Sequence, residues 1–168
     1  MASADLLEPS EWGPILWRYL HCLAEHIGHT GSTIIDTDQA NYMEVLITLL
    51  PLVIPCTGCQ EHAADYLAAH PLPALKGLYG PILTTTVRVW LFDFHTSVRV
   101  KLGQPIMIQT AEECAAQYAG YTMKKCEYTA LIQSVAAAVR IGKVRMEHWR
   151  KWYSHSERLR IISGNFVL

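Results

Sequence analysis

The sequence predicts an all-α protein: a four-helix bundle with a short fifth helix and additional C-terminal helices. Three observations carry that expectation. Apolar residues recur at helical spacing through most of the chain, no segment longer than a few residues keeps the two-residue period of a strand, and Gly and Pro gather mainly between the periodic runs. With 168 residues, 51% of them hydrophobic and 17% charged, the chain has enough apolar surface for the core of one domain.

Each element has its own signal. Ser10 is placed to cap a first helix in which Trp12, Ile15, Leu16, Tyr19, Leu20, Leu23 and Ile27 repeat at helical spacing, with Pro14 tolerated in the first turn. Residues 28–36 read as a loop. A second helix runs over about 38–50, with Tyr42, Val45, Leu46, Leu49 and Leu50 on its apolar side and Pro51 bending or ending it. The third spans about 56–69, and 70–79 connects it to a fourth over about 82–102, which Gly103 stops. Thr110 followed by Glu113 is a capping box for the short fifth helix. Two more stretches, 127–141 and 143 to about 160, are split by Gly142. Antiparallel helices with short connections bury such stripes.

Composition also excludes. A net charge of −1 provides no long-range field for nucleic acid or an anionic membrane. Residues 1–8 carry Asp5 and Glu8 and no basic segment, so no secretory signal is read there. The apolar run 45–54 is too short for membrane insertion and is broken by Thr48 and Pro51. Five cysteines are too few for a disulfide-built scaffold and leave one over after pairing, which favours redox chemistry over stapling.

That chemistry has an obvious place. Cys56-Thr57-Gly58-Cys59 follows Pro55 and opens the third helix, where two thiols can close a small disulfide. Backbone N–H groups and the positive end of the helix dipole stabilise a thiolate there, which makes Cys56 an attack site. The same spacing serves zinc, but His62 and His70 do not supply a second ligand pair, so no metal is expected. On the first helix Gly13, Trp17 and His21 follow at four-residue spacing, a platform for a flat ring. His95, Val98, Arg99 and Leu102 form a comparable stripe on the fourth, with Lys101 near the helix end to meet a phosphate.

Taken singly, these residues have plainer readings. Trp12 and Trp17 are core aromatics by default, a helical His is usually a core or surface residue, and Cys22 reads as a small buried hydrophobe. The basic cluster Arg140, Lys143, Arg145, Arg150, Lys151, Arg158 and Arg160 reads as a solvated helix face or, with Trp149, Trp152 and Tyr153, as a docking or dimer surface. The alternative function that the residues leave open is a non-enzymatic helical adaptor with a structural disulfide or zinc site at Cys56 and Cys59.

Three motifs in order raise the functional reading above the plainer ones. Trp12-Gly13-Pro14-x-x-Trp17-x-x-Leu20-His21, Pro55-Cys56-x-x-Cys59-x-x-His62 and Trp90-Leu91-x-x-x-His95-x-x-Val98-x-x-Lys101-Leu102-Gly103-x-Pro105 together resemble the Erv/ALR flavin-dependent sulfhydryl oxidases. The resemblance implies FAD held non-covalently at the mouth of the bundle, a homodimer, and oxidation of a protein dithiol. The dithiol attacks Cys56, Cys59 passes the electron pair to flavin, and O2 takes it to give H2O2. It also implies that Trp12, Gly13, Trp17 and His21 line the flavin or adenine, that His62 sits beside the ring, and that His95, Val98 and Lys101 hold the adenine and pyrophosphate.

The chain departs from the family pattern in places. Thr96 and Arg99 flank His95 where the family commonly has amides, so a hydroxyl and a phosphate-directed charge replace two amide hydrogen bonds. Tyr118 or Tyr121 stands in for the tryptophan the family puts against adenine. Cys114 and Cys126 enclose a shorter loop than the family's structural disulfide, and their pairing stays open. No second paired-cysteine motif marks a shuttle in either terminus, which resembles the compact enzymes of large DNA viruses and implies the host cytoplasm or the virion. On this reading 1–126 is the oxidase-like domain and 127–168 a C-terminal helical extension packed on it.

Overall fold

The computed structural model describes residues 7–164 and 166–168. They form seven helices: α1 (Pro9–His26), α2 (Thr33–Val53), α3 (Thr57–Ala69), α4 (Gly80–Lys101), α5 (Ala111–Tyr118), α6 (Lys125–Arg140) and α7 (Met146–Ile162). The only extended pairing among the described residues is an isolated bridge between Met123 and Val167. The all-α class expected from the periodicity is therefore the one observed.

Local chemistry moves several boundaries. Glu8, not Ser10, caps α1: its carbonyl oxygen accepts from the Glu11 N–H at 2.8 Å while Glu11 Oε2 accepts from the Glu8 N–H at 2.9 Å, and Pro9 enters the first turn. The second helix starts at Thr33, five residues before the expected 38, because Ser32 Oγ accepts from Ile35 N at 3.4 Å. Within the supposed loop, Asp36 is buried and accepts from the Thr30 hydroxyl at 2.7 Å and the Gly80 N–H at 2.8 Å. That ties the start of α2 to the start of α4. Pro51 does not end α2, since the Ile54 N–H closes onto Leu50 O at 3.2 Å and completes the turn beyond it.

Two glycines are required by their surroundings. A Cβ on Gly28, whose φ is +77°, would lie 2.3 Å from Gly80 O, so the exit of α1 can press on the start of α4 only without a side chain. Gly103 ends α4 at φ +64°, with Gln104 N–H donating to Arg99 O at 2.9 Å.

The core joins the bundle to its C-terminal part. Tyr19, Leu20 and Leu23 of α1, Met43, Leu46 and Ile47 of α2, and Leu83, Val87 and Leu91 of α4 are fully buried. Cys22 is buried with them, and burial pushes its thiol up to about 12. The most extensive helix pair is α2 with α7, and α6 lies on α1. Trp149 and Trp152 are accordingly core residues rather than a free docking surface: they cover α2, and Trp152 Nε1–H donates to Leu46 O at 3.2 Å. Arg18 joins α1 to Glu127 of α6 at 2.9 Å. The α1–α4 contact carries a two-pronged ion pair, Arg88 Nε and Nη2 to the buried Glu25 carboxylate, both at 2.7 Å. Among the described residues no helix is long and apolar enough to cross a membrane.

Candidate active site

The first turn of α3 is built by its own sequence. Cys56 is the N-cap, in extended backbone, and Cys59 N–H donates to Cys56 Sγ at 3.3 Å. The two cysteines form a disulfide. Gln60 Nε2 fastens this turn to the end of α2 by donating to Ile54 O at 2.8 Å. Both cysteines are half-buried against the core, while Thr57 and Gly58 between them are exposed. A thiol from outside can therefore reach the bond.

One turn further on, His62 stacks on Phe94 of α4 at 6.4 Å, and its Nε2 lies 3.5 Å from Ser97 Oγ. Tyr66, another turn on, also stacks on Phe94, at 4.7 Å. Phe94 in turn meets Trp17 of α1 edge-on at 5.2 Å. A continuous layer of rings thus leads from the disulfide helix to α1.

A second cluster lies beyond it, where α1, α4 and α5 meet. Trp17 stacks on His95 at 4.1 Å with 7° between the planes. His21 Nε2 is 3.1 Å from His95 Nδ1, and its ring stacks on Tyr118 at 5.0 Å. Cys114 Sγ lies 3.5 Å from His21 Nδ1, and Tyr121 meets the edge of Tyr118. Helical spacing aligns Trp17 with His21 and Cys114 with Tyr118.

Burial sets the protonation states here. Desolvation pushes His21 down to about 4, and desolvation with the charges of His21 and Arg99 pushes His95 down to about 3. His62 is lowered too, by desolvation and then by the Lys101 ammonium. All three imidazoles are neutral at pH 7, each with one donor and one acceptor nitrogen. Burial raises the Cys114 thiol to about 11 and the Tyr118 phenol to about 12.

A cavity of about 220 Å³ opens beside this cluster, lined by His95, Thr96, Arg99, Met107, Cys114 and Tyr118 among others. Arg99 Nε donates to Pro105 O at 3.0 Å, which holds the guanidinium against the loop after α4. The cavity pairs aromatic surface with a cation and a hydroxyl. It can take a flat ring carrying an anionic group.

The expected residues are distributed unequally. Trp17, His21, His95, Tyr118 and Tyr121 are brought into one cluster, and Arg99 and Thr96 join it through the cavity. Cys56, Cys59 and His62 form a second group on α3. Four lie outside both: Trp12 is buried in the core, Val98 packs against the core, Gly13 is half-exposed and Lys101 exposed. Two of these keep unused capacity. Among the described residues, Trp12 Nε1–H is buried with no hydrogen-bond partner, and a Cβ at Gly13 would meet nothing within 4 Å. Phe94, Tyr66, Ser97 and Cys114 were not singled out from sequence as site residues; for Cys114 the usable signal was its four-residue spacing from Tyr118. Cys114 and Cys126 do not pair: the first is buried, the second exposed, and both are free thiols. Among the described residues no three His, Cys, Asp or Glu side chains gather to hold a metal.

Comparison with known proteins bears on the same region. The profile of the Erv1 / Alr family matches residues 14–119, which leaves α6 and α7 outside. A putative FAD-linked sulfhydryl oxidase, 096R, of Invertebrate iridescent virus 3 is 27% identical over 99 residues, covering 59% of this chain and 61% of the relative. The FAD-linked sulfhydryl oxidase of African swine fever virus is 30% identical over 101 residues in a Kenyan pig isolate, covering 57% of this chain and 71% of the relative. In a Malawian tick isolate it is 29% identical over 96 residues. The chain thus spans less than two thirds of the iridovirus protein's length. No solved structure matches it.

Proposed function

The chain belongs to the Erv1/Alr family, and from that premise we propose that it is an FAD-linked sulfhydryl oxidase that forms disulfides in protein dithiols. The observation that carries the reading is the half-exposed Cys56–Cys59 disulfide at the start of α3, one turn before His62, whose ring stacks on Phe94 and through it adjoins the rings of Trp17, His95, His21 and Tyr118.

The α3 residues set the course of the thiol exchange. A substrate thiolate attacks Cys56 Sγ, the Cys56–Cys59 bond breaks, and Cys59 leaves as a thiolate. The second substrate thiolate then attacks the first substrate sulfur. Cys56 departs with its electron pair, stabilised by the Cys59 N–H and the helix terminus, and the substrate disulfide is complete. When bound, FAD supplies the two-electron acceptor for the resulting dithiol and the passage to O2, which becomes H2O2.

The residues present fit that cofactor. The stacked rings of Trp17, His95, His21 and Tyr118 offer faces to flat heterocycles, with Tyr121 at their edge. Arg99 and Thr96 give the neighbouring cavity a charge and a hydroxyl for phosphate, and Lys101 supplies a second cation on the exposed end of α4. The open position at Gly13 gives α1 room for close approach of a ligand, and the buried Trp12 N–H one residue before it has no hydrogen-bond partner among the described residues. His62 lies between the disulfide and the ring layer, and Val98 packs the wall of α4. Residues 1–126 make up the oxidase domain in this reading, with 127–168 as a helical extension of it.

Self-association as a homodimer belongs to the same proposal. Exposed Ile34, Ile35, Tyr79 and Ile82 gather where Asp36 ties α2 to α4, whereas α6 and α7 already cover other faces of α1 and α2. A place in host cytoplasm or virion is supported by the viral source of the relatives.

The visible spectrum of the purified protein tests the function. A yellow protein that bleaches with dithiothreitol under anaerobic conditions, releases flavin on denaturation and consumes O2 with a dithiol is the expected result. Inability to retain FAD even when it is supplied in excess would overturn the reading.

A further inference from the structure

Cys114 is used by neither the thiol exchange nor a disulfide, yet it is buried one turn before Tyr118 with its sulfur 3.5 Å from His21 Nδ1. We propose that it is a positioning residue for the cofactor site. Its S–H donates to His21 Nδ1, which commits His21 to donate from Nε2 to His95 Nδ1 and leaves the remaining N–H of His95 for an acceptor in the cavity. The proposal rests on the FAD reading for the identity of that acceptor, an atom of the bound dinucleotide.

The geometry supports one direction of the chain. The 3.1 Å contact between His21 and His95 needs one donor and one acceptor, and two neutral imidazoles satisfy it in either of two tautomeric arrangements. Contact with Cys114 distinguishes them. A buried protonated thiol has one hydrogen to place, and an imidazole nitrogen is a better acceptor than a thiol sulfur. His21 therefore carries its own proton on Nε2. Trp17, stacked on His95 with 7° between the planes, holds the second ring in place. Among the described residues no protein group bonds His95 Nε2, and the ring lines the cavity beside Arg99 and Thr96. In the reverse arrangement His95 would offer a lone pair there, beside a guanidinium. The His95 N–H, the guanidinium and the Thr96 hydroxyl, which can also donate, together match a phosphate or a heterocycle acceptor.

Histidine nitrogen NMR on the full-length protein, with and without FAD, reads the tautomers directly. Wild type is expected to carry its protons on Nε2 of both His21 and His95. Cys114→Val, which keeps most of the volume but removes the donor, should mix the His21 tautomers and weaken FAD binding about ten-fold, the size of one neutral hydrogen bond. Cys114→Ser retains a donor and should stay within about two-fold of wild type. A wild-type His21 protonated on Nδ1 overturns the proposal, whether or not any variant folds. So does a Cys114→Val protein with unchanged tautomers and FAD affinity. Failure of the wild-type chain to take up FAD overturns the oxidase reading, and the tautomers then decide the hydrogen-bond chain alone.

Discussion

The start of α3 and the histidine cluster between α1, α4 and α5 solve opposite physical problems. At α3 the two sulfurs are half-buried, adjacent residues are open to solvent, and polarisation comes from a backbone N–H belonging to the same turn. In the cluster His21 is 2% exposed, its neighbours are rings from three helices, and burial keeps the imidazoles neutral. A centre that exchanges bonds with an outside protein needs access and a charge-stabilising local fold. A centre that grips a planar group needs desolvation and surfaces converging from several helices.

The comparison breaks most visibly at the disulfide. Cys56→Ser should lower dithiol-dependent oxygen consumption by on the order of a thousand-fold, since it removes the attack site itself. In the proposed function the cluster holds the cofactor independently, so FAD content and the circular dichroism spectrum should be unchanged. Equal loss of FAD would show that the two regions are not separate.

The next largest effect belongs to the helix contact that supports the cluster. Arg88→Ala leaves the Glu25 carboxylate buried without its partner one turn beyond His21. A loss of about 3 kcal/mol of stability is expected in denaturant titration, with weaker FAD retention. An unchanged transition midpoint would place that ion pair outside the support of the site.

Acid separates the regions more finely. The folded-state pKa of His21 is depressed to about 4, below the ordinary 6.5, so between these values the unfolded chain binds more protons. Stability from this group is complete above pH 6.5 and is lost as pH falls toward about 4, by about 3 kcal/mol. His21→Asn should flatten that part of the thermal-midpoint profile, whereas Cys56→Ser should leave its slope alone. The smallest effect is expected for Gln60→Ala, which removes the tie from the first turn of α3 to Ile54 O. About 1 kcal/mol of stability should go, and slower thiol exchange with unaltered FAD affinity would place its influence on the sulfur side.

Legibility from the chain followed the same division. The disulfide helix was readable almost residue by residue, because Pro55, the Cys56 cap and the helical run that follows act within one turn. The stripes of α1 and α4 were readable as stripes, since helical spacing alone aligns Trp17 with His21. Their partners were not. Trp12 occupies the same motif as Trp17 but faces the core, and Lys101 occupies the same stretch as Arg99 but lies outside the cavity lining. The start of α2 was misplaced because its determinants, the Ser32 cap and the bond from Gly80 to Asp36, combine a weak local signal with a contact across 44 residues. Trp149 and Trp152 stand beside so many basic residues that the sequence leaves a surface role open, and the packing of α7 on α2 makes them core.

Helix class, cap chemistry and the redox pair come from interactions a few residues apart, and for these the order of amino acids was sufficient. Which indole is buried, which two imidazoles meet and which thiol stands behind them depend on the angles at which α1, α4 and α5 pack. Those angles arise from side-chain volumes summed over the whole core, with α6 and α7 included. No short window of sequence holds that sum, so only the folded chain decided it.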